Sequence, residues 1–509
     1  MNSHELKSLT DVKNLKEWLL NIREKHYIEL KTASELPRAF WESYSSFSNT
    51  SGGFVILGVK EAQPQNVIVG VSNVDKLLRS LWDQLSNTSK VNYRNIGNDD
   101  VNIYEIEGHS VVIVYVPEAP ERKKPVYING KIEETYIRTG DGDRKATYEE
   151  LQSLLRNASS GQDTLIAKHF TINDLDAESL ALFKSMVHSR FPKKDYVSMT
   201  DALFLTEIGA CSHDRVSGEL KIKKGTLLFL GKSNSIKELY PHYHVDYFDR
   251  RGNSPRWIDR VTDDELGNDE MNLFRFYLQV DAKLRALSLS SFALDEKNRR
   301  GPVPDFDETL RECLVNMLAH ADYDLGLPTT RIDVKDGFFS FKNPGKMLVS
   351  PNQFVIGGDS RPRNEIIMKM FRLIGASERQ GMGGPMIFKS AESNQFRRPE
   401  IETNLERTEL RVWNIDLASS YPELSEDEKN VLRVVIKANS ALSINNIQES
   451  TSLTDYKIRK IIVPKLLTLN LIQKHGSGRA TKYHVSVTSE AFFTKLQLIM
   501  DKLGEVIKR

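Results

Sequence analysis

Residues 311–324 read RECLVNMLAHADYD. Leu314, Val315, Leu318 and Ala319 recur at the spacing of a buried helical stripe. Glu312, Asn316 and His320 fall every four residues, so three polar groups line up along one side of the same helix. Asp305 and Asp307 precede it as candidate caps whose charge suits the helix dipole. A helix otherwise made for burial, with a polar ridge along it, needs something polar to face.

Three later stretches supply candidates. The segment TTRIDVKDGFFSFKN (329–343) reads as a hairpin turning at Asp336-Gly337, and Asn343-Pro344-Gly345 makes a tight exit from its second strand. SRPRNEII (360–367) places Arg361, Arg363 and Asn364 just ahead of a helix. ERQGMGGPMIF (378–388) holds Gly381, Gly383 and Gly384, with Pro385 suited to a first helical position. A glycine loop running into a helix start offers bare N–H groups and a positive dipole end to phosphates.

This order of features resembles the GHKL class of ATP-binding domains (gyrase, histidine kinase and MutL type), an α/β sandwich, here over 301–417. The resemblance implies ATP and Mg2+ as ligands. Asn316 would hold the cation, Glu312 would orient or deprotonate the attacking water in ATP hydrolysis, and Gly381, Gly383 and Gly384 would form the phosphate lid. His320 stands where the divergent branch of the class tends to carry histidine, and Gly345, Arg363 and Asn364 complete the expected ligand-binding set. The adenine-reading Asp-x-Gly-x-Gly box is missing. Asn343 is the candidate in its place, since its amide offers both an acceptor and a donor, so nucleotide identity and turnover stay open.

The first 158 residues carry a second motif set. HYIELKTASELPRAFWESYSSFSNTSGGFVILGV (26–59) alternates Ile28 and Leu30 with Glu29 and Lys31 on a strand, then runs through an aromatic helix and a Gly52-Gly53 turn into a buried strand. A helix expected from Thr147 to Asn157 closes the unit. The Glu-Leu-Lys strand, the Phe-Ser-Asn-Thr-Ser-Gly-Gly turn and the Tyr-Ile-Arg-x-Gly at 136–140 resemble the Schlafen-like (divergent AlbA-like) domain, an α+β nucleic-acid-binding fold. Arg138, Arg144 and Lys145 become candidate nucleic-acid contacts. In some members the domain cuts RNA with a metal, which implies Glu24, Glu29 and Lys31 as catalytic candidates and Glu24, Glu29 and Glu61 as metal ligands. Those members place an aspartate just past the Gly-Val exit. Here Lys60-Glu61 follows, so a metal site rests on Glu61, and Lys60 in that place would repel a cation.

Residues 164–300 form a mixed α/β connecting region. A helix is expected near Ala177 to His188, strands over GTLLFLGK (225–232) and HVDYFDR (244–250), and a long helix from Asp269 to about Leu289. Residues 424–488 lay out helices from Ser425 to Lys437, Ile444 to Glu449 and Thr454 to Leu469, then a two-stranded wing, and resemble a winged helix-turn-helix. Lys457, Arg459 and Lys460 would start its reading helix, with Lys474, Arg479 and Lys482 on the wing. Pro464 should kink or split that helix. A C-terminal helix is expected over 489–509.

The formal net charge of +1 excludes a global field for nucleic acid or membrane, yet residues 451–509 hold eleven Lys+Arg against four Asp+Glu. No signal-like or membrane-spanning run appears, and Cys211 and Cys313 show no ligand spacing, which fits a reducing cytoplasm. The reading is a multidomain α+β protein in which ATP binding links two nucleic-acid-binding ends, in transcriptional regulation or antiviral defence, with homo-oligomers as a further expectation. Two alternatives stay open: a metal-dependent nuclease acting on RNA or single-stranded DNA, and a non-enzymatic scaffold with a degenerate pocket.

Overall fold

The computed structural model describes residues 12–486 apart from 33–34, 160, 216, 253–255, 265–269, 291, 295–299, 303–305, 359–360, 378–380, 439, 477 and 479–480. The expected helix over 489–509, and the candidates Asp305 and Arg479, lie outside these residues. Internal packing divides the chain into two units, Met1–Ser160 and Gly161–Arg509.

In the first unit β1 (Ile28–Lys31), β2 (Gly53–Leu57), β3 (Val101–Ile106) and β4 (His109–Val116) form a sheet in the order β1-β2-β4-β3, parallel between β1 and β2 and antiparallel elsewhere. β2 is buried on both faces, which is why its sequence is continuously apolar. Val55 and Leu57 pack with Phe40, Trp41, Tyr44 and Phe47 of helix α1 (Arg38–Asn49), while Phe54 and Ile56 pack with Leu15, Leu19, Ile28 and Leu30. The Asn of the Phe-Ser-Asn-Thr-Ser-Gly-Gly motif is structural: Asn49 is buried, donates to Val126 O and Tyr136 O, and accepts from Val126 N. Helix α2 (Tyr148–Ala158) closes the unit behind a capping box of Thr147 and Glu150.

The second unit is built on a six-stranded sheet. Its strands are β5 (Val245–Asp249), β6 (Asp259–Thr262), β7 (Thr330–Lys335), β8 (Phe338–Pro344), β9 (Glu400–Thr403) and β10 (Arg407–Trp413), ordered β6-β5-β7-β8-β10-β9. Only β5 and β7 run parallel. The expected domain limit at residue 301 therefore cuts through one sheet, because β5 pairs with β7 and carries β6 on its other edge.

The expected strand over 225–232 is also corrected. Lys224–Leu230 is a helix, α3, whose residues from Gly225 to Leu230 are all buried. An apolar run enclosed on every side has no period to read, so length and flanks could not decide its type.

Helices α4 (Leu273–Ser290) and α5 (Phe306–His320) lie together, with α5 against β8. Leu310, Cys313, Leu314 and Met317 of α5 share a core with Ile332, Val334, Phe339, Phe341, Leu410 and Val412 from one face of the sheet. Around α5 stand α6 (Pro351–Ile356), α7 (Glu365–Leu373) and α8 (Gly383–Ser393). Pro385 is the third residue of α8, not its first. Both cysteines are buried and free.

The last part has its own core, with α9 (Glu426–Lys437) and α10 (Ile444–Thr451) ahead of an interrupted third helix. That helix runs Asp455–Lys457, then a π-helical turn Ile458–Ile462, then α11 (Val463–Thr468). Pro464 lacks an N–H and crowds the carbonyl four residues back, and the wider turn beside it takes up the misfit without breaking the helix. Strands β11 (Ile472–His475) and β12 (Lys482–Val485) form a two-stranded antiparallel hairpin where the wing is expected. No helix among the described residues is long and apolar enough to cross a membrane.

Candidate functional site

The polar ridge of α5 faces a cleft. Glu312, Asn316 and His320, with Arg361, Gly381, Gly383 and Gly384, line a cleft in which about 60 Å³ is open to the centres of water-sized molecules. A second cavity, of about 70 Å³ on the same measure, adjoins it, with Asn316, His320, Phe354 and Arg361 in both walls and Asn343, Phe341, Leu348 and Leu410 beyond. The first is glycine-lined and the more polar of the two, and the second is largely apolar.

Helical spacing brings Asn316 onto Glu312, and its Nδ2 donates to Glu312 Oε1 at 3.0 Å. That leaves the Asn316 carbonyl oxygen as an acceptor for a hard cation. Burial raises the Glu312 pKa above the usual carboxylate range, and the Asn316 hydrogen bond opposes it. His320 moves the other way. Burial first, and then the Arg363 guanidinium, push its pKa down to about 4, so it is neutral at pH 7 and can accept as well as donate.

The glycines are set by contact. A Cβ on Gly383 would stand 2.2 Å from Glu312 Oε1 and 3.0 Å from Asn316 Nδ2, so only glycine lets the start of α8 lie against the ridge. Gly381 crosses a second glycine turn, Gly357-Gly358, where a Cβ on Gly381 would meet Gly358 O at 2.4 Å. Gly357 lines the first cavity as well; this second turn is a part of the cleft that motif order did not single out.

Three expected ligand-binding residues have other work. Arg363 is buried, donates from Nε to His320 O (3.1 Å) and from Nη2 to Lys346 O (2.8 Å), and so fastens the end of α5 to the loop after β8. Asn364 is buried and donates to Ala319 O and Ala321 O. Gly345, at φ +90°, packs against Asp322 and Arg363, where a Cβ would come within 2.9 Å. None of the three lines either cavity; Arg361 lines both. Asn343 keeps its place in the second cavity, with Nδ2 donating to Pro344 O and Oδ1 left as acceptor.

In the first unit, Glu29 is held by two cations. Its Oε1 lies 2.8 Å from Lys31 Nζ and its Oε2 2.7 Å from Arg138 Nη1. Arg138 also pairs with Asp143, donates to Lys25 O and Ile28 O, and lies over the Phe47 ring, so its side chain is 2% exposed. It is a structural residue and not a nucleic-acid contact. Glu24 accepts from Leu30 N, and burial first, then Glu29 and Glu61, raise its pKa. Glu24 thus feels the charge of the other two acids, but the carboxylate oxygens of the three do not all lie within 4.8 Å of one another. Among the described residues the group whose ligand atoms lie within 4.8 Å of one another is His244, Asp263 and Asp264.

Of the basic candidates, Arg144 pairs with Glu150, Lys145 lies 3.9 Å from Glu134, Lys457 pairs with Asp427 and Arg459 with Asp455. Lys460, Lys474 and Lys482 are exposed on the third helix and the wing.

Comparison with known proteins matches these parts separately. Residues 24–147 match the Schlafen, AlbA_2 family, residues 152–246 a domain of unknown function (DUF8451), and residues 329–412 the family described as "Putative ATP-dependent DNA helicase recG C-terminal". No curated protein matches. Among solved structures, the DIP2311 protein of Corynebacterium diphtheriae aligns over 95% of this chain and 100% of its own at 13% identity and a TM-score of 0.37. The N-terminal domain of a "Putative ATP-dependent DNA Helicase RecG-related Protein" from Nitrosomonas europaea aligns over 29% of this chain and 94% of its own at 26% identity and a TM-score of 0.21. The chain is a multidomain α+β protein that carries a Schlafen/AlbA_2 domain at its N-terminal end and a RecG C-terminal-like domain over residues 329–412.

Proposed function

We propose that this protein binds ATP with Mg2+ in the cleft beside α5 and uses that binding to control nucleic-acid association by its Schlafen/AlbA_2 domain and its winged helix. One observation carries the reading: Glu312 and Asn316, hydrogen-bonded to each other, lie directly against the glycine start of a helix, and together they border a cleft that adjoins a largely apolar cavity. The cleft suits a triphosphate and its cation, through the Asn316 carbonyl, Arg361 and the N–H groups at the start of α8. The apolar cavity suits a base, with Asn343 offering an acceptor to its amino group. Glu312, whose pKa burial raises, would take a proton from an attacking water.

Metal-dependent cleavage by the first unit is not part of the proposal, because both oxygens of Glu29 are already neutralised by Lys31 and Arg138. Thermal melting of the full chain tests the nucleotide reading. Mg-ATP should raise the wild-type Tm, EDTA should abolish the rise, and Asn316→Ala should lose it while keeping the unliganded Tm. A wild-type Tm indifferent to Mg-ATP would leave a binding scaffold instead.

A further inference from the structure

The face of the six-stranded sheet turned away from α5 carries a feature that the nucleotide reading does not use. On β5 Phe248 alternates with the core residue Tyr247 and is the centre of a cationic ring stack. The guanidinium carbons of Arg250, Arg260 and Arg331 lie 4.5, 5.1 and 5.0 Å from the Phe248 ring centroid. Trp257 lies 5.5 Å from the same ring, takes Arg260 over its own face, and is 45% exposed.

Three guanidinium groups gathered on one ring repel one another. Asp246 and Asp333 offset part of that charge, but both carboxylates sit beneath, 9% and 4% exposed, whereas Arg250 and Arg331 are 36% and 35% exposed. Lys342 adds a further cation at 3.8 Å from Asp333. The solvent therefore meets a cationic layer beside an uncovered indole. The Nε–H groups of all three arginines are buried without a hydrogen-bond acceptor, although Arg250 Nε is 3.2 Å from Asp333 Oδ1.

We infer that this face binds single-stranded nucleic acid, with Arg250, Arg260 and Arg331 on the phosphate backbone and an unpaired base stacked on Trp257. Exposed aromatics interleaved with cations are the elements that hold single strands without reading sequence. A duplex keeps its base faces stacked internally, so it can use the charges and not the indole. The inference is independent of the cleft: it needs no nucleotide, and it can hold where the ATP reading fails.

Fluorescence anisotropy of a short labelled oligothymidylate with the full chain, in the absence of ATP, tests it. Trp257→Ala should weaken single-strand binding roughly tenfold and leave a duplex of equal length unaffected. The triple variant Arg250→Gln, Arg260→Gln, Arg331→Gln should weaken both and make the log–log salt slope for the single strand shallower by about two. Lys460→Ala with Lys474→Ala and Lys482→Ala should leave the Trp257 effect intact. Should the arginine variant fold poorly, Trp257→Ala decides alone, since it removes an exposed ring and no charge. Wild-type affinity in Trp257→Ala, or displacement of the oligonucleotide by polyglutamate of equal charge, overturns the proposal.

Discussion

At Gly383 a single hydrogen separates the start of α8 from the acid of the cleft. Alanine there would place its Cβ 2.2 Å from Glu312 Oε1, and that carboxylate is held in turn by Asn316. Gly383→Ala is expected to cost about 1–3 kcal/mol in urea melts and to remove the Mg-ATP shift. Adding Glu312→Ala should restore most of the stability and none of the shift; a single variant as stable as wild type would show that the helix start is not seated on the ridge. His320 gives a pH signature. Its pKa falls from about 6.5 unfolded to about 4 folded, so between these values the unfolded chain binds a proton that the native state refuses. Stability should therefore drop as pH falls from 7 towards 4, by on the order of 2 kcal/mol from this residue, and His320→Gln should flatten that slope. The polar ridge itself could be read from a four-residue spacing. The choice of Arg363 over Arg361 could not, because which of two nearby arginines turns into the cleft depends on the path of the backbone between β8 and α7. Glu29 was equally hidden: its neighbour Lys31 is two residues away, but its second partner, Arg138, is 109 positions distant.

Elements that face two environments showed their period, and elements that face one did not. The hairpin of β7 and β8 alternates core Ile332, Val334, Phe339 and Phe341 with polar Arg331, Asp333, Ser340 and Lys342 on the other face, and this alternation is legible in the sequence. Helix α3 is buried from Gly225 to Leu230, and its unbroken apolar sequence reads as a strand. Its enclosure also conceals an electrostatic link. Asp163 lies where a Cβ on Gly225 of α3 would sit 2.5 Å from its Oδ2, and that oxygen accepts from Ile366 N (2.8 Å) and Ile367 N (3.0 Å), capping α7 from about two hundred residues away in sequence. Burial pushes the Asp163 pKa up to about 6 against those hydrogen bonds. Here the folded state holds its proton more tightly than the unfolded chain, so the contribution of this group to stability declines as pH rises from 4 through 6. Asp163→Asn should flatten that decline in denaturant melts, whereas Asp163→Ala should lose about 1–2 kcal/mol of capping. An unchanged pH slope in the Asn variant would rule out titration of this group.

For the whole chain, the sequence order of motifs conveyed which modules are present and concealed how one of them is assembled. The parallel pairing of β5 with β7 joins strands separated by β6 and by helices α4 and α5, and no local pattern announces a partner at that distance. What the assembly implies for control can be stated as a linkage. If Mg-ATP in the α5 cleft alters nucleic-acid affinity by some factor, bound nucleic acid must alter ATP affinity by the same factor, since both are legs of one thermodynamic cycle. A coupling of about 1–3 kcal/mol, five- to roughly 150-fold, is the ordinary range. Titrating the full chain with a duplex at saturating and at zero Mg-ATP, and with Mg-ATP at saturating and at zero duplex, measures both legs. The proposal expects two equal factors different from one, and both reduced to one in Asn316→Ala. Tight binding of each ligand with both factors at one would mean that the two sites coexist without communication, because a ligand that contacts alternative states equally cannot shift their balance however strongly it binds.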